Sequence, residues 1–333
     1  MGYLYFLFGN GIRRGISKKL RLLSLFVLLS SLTLFGQAPA GYYDAANGKN
    51  GAELKTALSN IITNNHQTLS YSSLGNYYPS TDATSDGKVW DMYSSQVYTF
   101  SQNGSSANQE GQGWNKEHSF PQSWFKEASP MKADLFHVYP TDIRVNSMRS
   151  SYPYGKVNGN PTFTSTNGCK LGSSDPNTGY SGIVFEPADE YKGDFARTYF
   201  YMATRYEKSI DSWTSNGSAG QILDGTEYLV FKTWYKNLML EWHHGDPVSQ
   251  KEINRNNAVY AIQKNRNPFI DNPSYADMIW GDGPIGLTFT SSPVTTAQAG
   301  TMYTYNITVT GASGSTFTIE ATTRPSSLTF TSP

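Results

Sequence analysis

Glu117 and His118 stand side by side in Gly113-Trp114-Asn115-Lys116-Glu117-His118-Ser119-Phe120-Pro121. The pair combines what metal-assisted hydrolysis requires: a hard oxygen donor for a cation and an imidazole that accepts a proton near neutral pH. Asn146 follows 28 residues after His118, in Asp142-Ile143-Arg144-Val145-Asn146-Ser147-Met148-Arg149, and offers a second, neutral oxygen ligand. Phosphodiester hydrolysis needs an activated water in line with the leaving oxygen, and charge compensation at a crowded phosphate. His118 is the candidate base. Glu117 and Asn146 suit Mg²⁺, which keeps several of its waters and can also touch a phosphate oxygen. Arg149, Arg144 and Arg197 are candidates to hold the phosphate. The set reads as a phosphodiester-cleaving site.

Each assignment has a plainer rival. A Glu-His pair alone is usually a solvated surface pair, and Asn146 could be a polar helix residue bonding a neighbouring carbonyl. The arginines could instead pair with Asp194 or Glu186. His137 fits a bracing role better than a ligand role. His243-His244 raises a zinc reading, but neighbouring histidines on a helix lie about 100° apart, unlike the i, i+4 pair that grips zinc.

Positioning these groups takes an extended segment near 114–120 and a short helix near 141–149. Adjacent residues of a regular strand point to opposite faces, so a shared site predicts irregular backbone, such as a bulge, at Lys116–Ser119. Ala52, Leu54, Ala57, Leu58, Ile61 and Ile62 recur at helical spacing within 41–65. Strands are expected around Val89–Tyr93 and Val97–Phe100, and residues 150–186 read as a long surface loop. Three helices follow: Asp194–Tyr206 with one apolar face, Thr226–Trp242 as a central helix, and a third opened by the capping box Ser249-Gln250-Lys251-Glu252 and running to about Lys264.

Residues 1–40 contain five basic side chains and no acid, then an apolar run from Leu22 to Phe35 and Ala38-Pro39-Ala40. This is the pattern of a secretory leader, and the run is short for a membrane span of about 20 residues. A secreted, extracellular protein is expected, off the membrane after cleavage, with no obligate protein partner evident. Without the leader, 21 basic side chains face 26 acidic ones, a net charge of −5. Bulk charge then cannot bind nucleic acid; a local basic groove and a bound cation must do so. A single cysteine, Cys169, allows no intrachain disulfide and is read as incidental. Breakers between Asn267 and Pro284 close the first domain. From 285 to 333 the chain turns to alternating Thr, Ser, Val and Tyr, similar to the opening strands of an immunoglobulin-like module.

Several ordered blocks together resemble the endonuclease I family over residues 42–281: Asn115 to Pro121, Asp134-Leu135-Phe136-His137-Val138-Tyr139-Pro140, Asn146 with Arg149-Ser150, Phe185-Glu186-Pro187, Lys192 to Arg197, Asp246-Pro247-Val248-Ser249, and Asn265 to Phe269. Phe136 stands where several members carry His. The resemblance implies an α+β fold, mostly helical around a ββα-metal (His-Me) finger. It implies His118 as general base, Glu117 and Asn146 as ligands of one Mg²⁺ (Mn²⁺ or Ca²⁺ as substitutes in binding), and cleavage of DNA, often RNA, with little sequence preference and 5′-phosphate ends. The expected organisation is a signal peptide at 1–40, a catalytic domain at 41–284 and a partial immunoglobulin-like segment at 285–333. An exported binding or adhesion protein with an inactive nuclease-like domain is the alternative.

Overall fold

The computed structural model describes residues 38–281 and, beyond them, the backbone pairing of Thr288–Phe289 with Val309–Thr310. The expected leader, and the immunoglobulin-like segment apart from that pairing, lie outside the described residues. In chain order the main elements are α1 (Gly51–Thr63), β1 (Trp114–His118), β2 (Val138–Asp142), α2 (Ile143–Arg149), β3 (Phe163–Thr164), β4 (Lys170–Ser173), β5 (Ile183–Glu186), α3 (Lys192–Arg205), α4 (Thr233–Gly245), α5 (Gln250–Gln263) and α6 (Tyr275–Trp280). Helix and sheet are mixed, as an α+β class requires. Among the described residues no helix is long and apolar enough to cross a membrane.

Helix α3 is the axis of the core. The sequence predicts one apolar face, yet every residue from Gly193 to Arg205 is buried. The reason is that α1 and α4 pack against it, while rings from the β1–β2 region close a further side. Tyr199 meets Phe120 and Tyr154, and Phe195 meets Tyr139. A helix buried all round must satisfy its polar groups internally. Thr198 Oγ1 accordingly lies 2.6 Å from Tyr139 Oη, and Tyr201 Oη donates to Asp134 at 2.8 Å. Helix α1 buries Leu54, Leu58 and Ile62, one residue per turn. The capping box of α5 forms as read, and Lys264 ends that helix in the left-handed conformation.

Four local expectations need correction. Residues 89–93 and 97–100 form no strands, because Asp91 takes over the local amides: Tyr93 N donates to its Oδ1 at 2.8 Å and Asp142 N to its Oδ2 at 3.1 Å. Residues 150–186 are not one loop but hold the antiparallel sheet β3-β4-β5. Cys169 leads into that sheet as a buried thiol whose Sγ accepts from Ala188 N at 3.3 Å; burial pushes its pKa up to about 12. The helix expected from Thr226 begins only at Thr233, since Val230 turns at a φ of 67° and Lys232 N bonds Ile222 O at 2.7 Å.

The fourth concerns β1, which is regular. It pairs antiparallel with β2 without interruption, from Trp114 opposite Asp142 to His118 opposite Val138. Its entry is fixed by Gly113, whose φ is 136° and where a Cβ would lie 2.6 Å from Gln102 O. Pro140, opposite Lys116, has no N–H to give, so the even-numbered residues of β1 turn their backbone groups to the outer edge. At Trp114 that edge is met by Gln102 O and Gly104 N. Helix α2 follows β2 with no intervening residue: Asp142 ends the strand and its Oδ1 accepts from Val145 N at 3.0 Å as the helix cap.

Candidate active site

A regular β1 puts Glu117 and His118 on opposite faces, and their surroundings are disjoint. Glu117, 3% exposed, accepts from Tyr93 Oη at 2.8 Å and pairs with Arg149 Nη1 at 3.2 Å, both through Oε1. No other side chain among the described residues donates to Oε2. Burial pushes the Glu117 carboxyl up, against the pull of the Arg149 guanidinium. Asn146 projects from α2 toward the outer edge of β1, its Nδ2 donating to Asn115 Oδ1 at 2.7 Å and reaching Lys116 O at 3.5 Å. Its own Oδ1 accepts nothing among the described residues. Asn115 and Glu117 on one strand face thus meet Asn146 and Arg149 on one helix face.

His118 lies on the other side among aromatic rings. Tyr71 stacks on it at 5.5 Å and 25°, and His137 sits 5.5 Å away. Nε2 is 3.0 Å from Lys132 O. A carbonyl only accepts, so Nε2 carries the proton and Nδ1 holds the lone pair. Nδ1 has no hydrogen-bond partner among the described residues, and the residue as a whole keeps 5% of its surface exposed. Burial, then the nearby His137, lowers the pKa of His118 to about 3. The imidazole is therefore neutral across the ordinary pH range, with the Nδ1 lone pair unprotonated.

The remaining candidates fall into structural positions. Arg149, 1% exposed, spans Glu117, His118 O at 2.9 Å and Ser119 O at 2.5 Å, tying α2 to the end of β1. Arg197 is elsewhere, gripping both oxygens of Glu252 at 2.5 and 2.8 Å, with Asp194 at 3.6 Å. This is the ion-pair role that the sequence leaves open for it. His137 braces the approach to β2, with Nε2 2.7 Å from Met131 O. His243 Nε2 faces Pro273 O and His244 Nε2 faces Asp277, so the two rings serve different partners. Among the described residues no three His, Cys, Asp or Glu side chains converge as a metal cluster. Mg²⁺ asks for less, because one or two protein oxygens and retained waters suffice. The free oxygens of Glu117 and Asn146 fit that demand.

Sequence reasoning missed Tyr93, Tyr154 and Tyr71. Tyr93 Oη links Glu117 to Tyr154 Oη at 2.6 Å, and the Tyr154 ring lies 4.8 Å from the Arg149 guanidinium carbon. Nothing in the spacing of these tyrosines marks them, since 23 are spread through the chain. Asn115 was visible inside its motif but had no assigned role.

The profile of the family described as Endonuclease I matches residues 50–274. An extracellular ribonuclease of Bacillus amyloliquefaciens is 37% identical over 254 residues, covering 72% of this chain and 78% of its own. The extracellular ribonuclease of Bacillus subtilis (strain 168) is 36% identical over 251 residues, with the same coverage. An endonuclease-1 of Buchnera aphidicola is 25% identical over 145 residues, covering 44% of this chain and 47% of its own.

Proposed function

We propose, from the premise that this chain belongs to the endonuclease I family, that it is a secreted, Mg²⁺-dependent endonuclease of low sequence specificity, acting on RNA as well as DNA and leaving 5′-phosphate ends. One observation carries this reading: three lone-pair atoms, Glu117 Oε2, Asn146 Oδ1 and His118 Nδ1, remain without a side-chain donor on elements that are otherwise closely hydrogen-bonded. RNA enters because two relatives matched over 78% of their own length are named ribonucleases, and their names also support export. The domain reading stays as the sequence gives it: leader at 1–40, catalytic ββα-metal domain at 41–284, partial immunoglobulin-like segment at 285–333.

Glu117 and Asn146 would hold the cation; when bound, it supplies Lewis-acid compensation of charge on the phosphate. His118 Nδ1 takes the proton of the attacking water, while Nε2–H on Lys132 O fixes the ring and its tautomer. Helix α2 lies along the free edge of β1, where Arg149 bonds a side chain of one face and a carbonyl beside the other. For one site to use both faces, a phosphodiester must reach around this edge to groups on each side. Arg149 acts as a positioning residue, and Arg197 stands apart from the chemistry.

Incubation with supercoiled DNA and with RNA, with Mg²⁺ or with EDTA, tests this. Cleavage of both is expected with Mg²⁺ and none with EDTA. His118→Ala is expected to lose about 10²- to 10⁴-fold in rate while binding substrate. A wild type inert on both substrates, or a His118→Ala variant near wild-type rate, defeats the reading.

A further inference from the structure

Lys116 and His118, two residues apart, share a face of β1. Both touch one ring: Tyr71 stacks on the imidazole, and Lys116 Nζ lies 4.6 Å from the Tyr71 centroid. Lys132 also approaches that ring, at 5.2 Å, but its ammonium is engaged by Glu127 at 2.5 Å. Lys116 has no carboxylate partner among the described residues. A half-buried ammonium without a counter-charge is a cost to the fold, and such costs are common where a ligand supplies the missing charge.

The surroundings favour a phosphate. Lys116 lines an open groove together with Tyr71, Asn103, Gly104, Trp114 and Asn115, and no acid contributes to its walls. Tyr71 is not a platform for a base, because its ring is already taken up by His118 and the lysines. It acts as a spacer that fixes the ammonium relative to the imidazole. Arg149 and Arg197, both buried, cannot provide the cationic footing that a polyanion needs; Lys116 can.

We propose that Lys116, held over Tyr71 beside His118, binds a backbone phosphate next to the scissile one, making this groove a sequence-independent subsite. The proposal rests on the nuclease reading above. It also assigns the discrimination: contact with phosphate positions a strand without reading its bases.

Steady-state cleavage of a single-stranded DNA and an RNA oligonucleotide, over a range of salt at saturating Mg²⁺, tests it. Lys116→Gln keeps most of the stem and removes the charge. It is expected to raise KM about tenfold with kcat within about twofold. The slope of log(kcat/KM) against log salt should flatten by about 0.7, the signature of one lost phosphate contact on a single strand. Lys116→Arg should restore both, and Tyr71→Leu should raise KM in part, since it frees the ammonium without removing it. Wild-type KM and salt slope in Lys116→Gln overturn the subsite alone, as does a fall confined to kcat. A wild type that cleaves neither oligonucleotide sinks both readings together.

Discussion

Arg149 and Arg197 are both interior and both face a glutamate, but they differ in what their networks leave over. Around Arg197 the accounts close: both oxygens of Glu252 are gripped, Asp194 adds a second carboxylate, and Nη1 donates to Asp246 O at 2.8 Å. Around Arg149 they do not. Glu117 is held through one oxygen, Arg149 Nε has no partner, and Asn146 Oδ1 and His118 Nδ1 stay free among the described residues. Buried polar groups are normally satisfied, so an exception asks for an explanation. A closed network serves the fold, and an open one keeps room for something that is not protein.

The largest effect that would test this contrast is on stability. Arg197→Met leaves Glu252 and Asp194 buried without their counter-charge, and is expected to cost about 3–5 kcal/mol in urea unfolding. The activity of the folded fraction should stay within about twofold. A collapse of cleavage in a stable variant would return Arg197 to the phosphate and erase the contrast. Next comes Arg149→Lys, which keeps the charge and loses the fork that joins Glu117 to two carbonyls. The Mg²⁺ concentration for half-maximal activity should rise about 10- to 100-fold; an unchanged Mg²⁺ titration would place Arg149 with Arg197.

Per pH unit, the smallest effect is a pH dependence on the closed side. Burial first, then Arg197 and His244, lower the pKa of His243 to about 4, with Asp277 pulling the other way. The native imidazole therefore stays neutral while the unfolded one, near 6.5, takes up a proton. Stability is lost as pH falls from about 6.5 toward 4, by at most about 1.4 kcal/mol per pH unit. His243→Gln should flatten that slope in unfolding curves. An identical slope would mean that other groups set the acid sensitivity.

What the sequence made legible was local. The capping box at Ser249 and Glu252, the helix carrying Asn146 and the extended stretch carrying Glu117 and His118 each depend on neighbours a few residues away. What stayed hidden came from distant parts of the chain. Tyr93 reaches Glu117 across 24 residues and Tyr154 across 61, and Arg197 finds Glu252 55 residues on. Periodicity also failed where packing overrode it. Helix α3 shows one apolar face in sequence and buries every face, because most of its polar side chains find partners that the pattern does not contain. At Asp91 a single carboxylate diverted amides that strand propensity would have paired.

The join between β2 and α2 has one more implication. Asp142 is at once the last residue of the strand and the cap of the helix, so no slack separates the two. One inserted residue there would swing Asn146 by about 100° around the helix axis and carry it off the edge of β1. The exposed turn at residues 158–161 has no such tie to the reacting groups and tolerates a change of length. Tolerance to insertion should therefore vary sharply over a few residues, which makes the Asp142–Ile143 peptide the least elastic joint of the molecule.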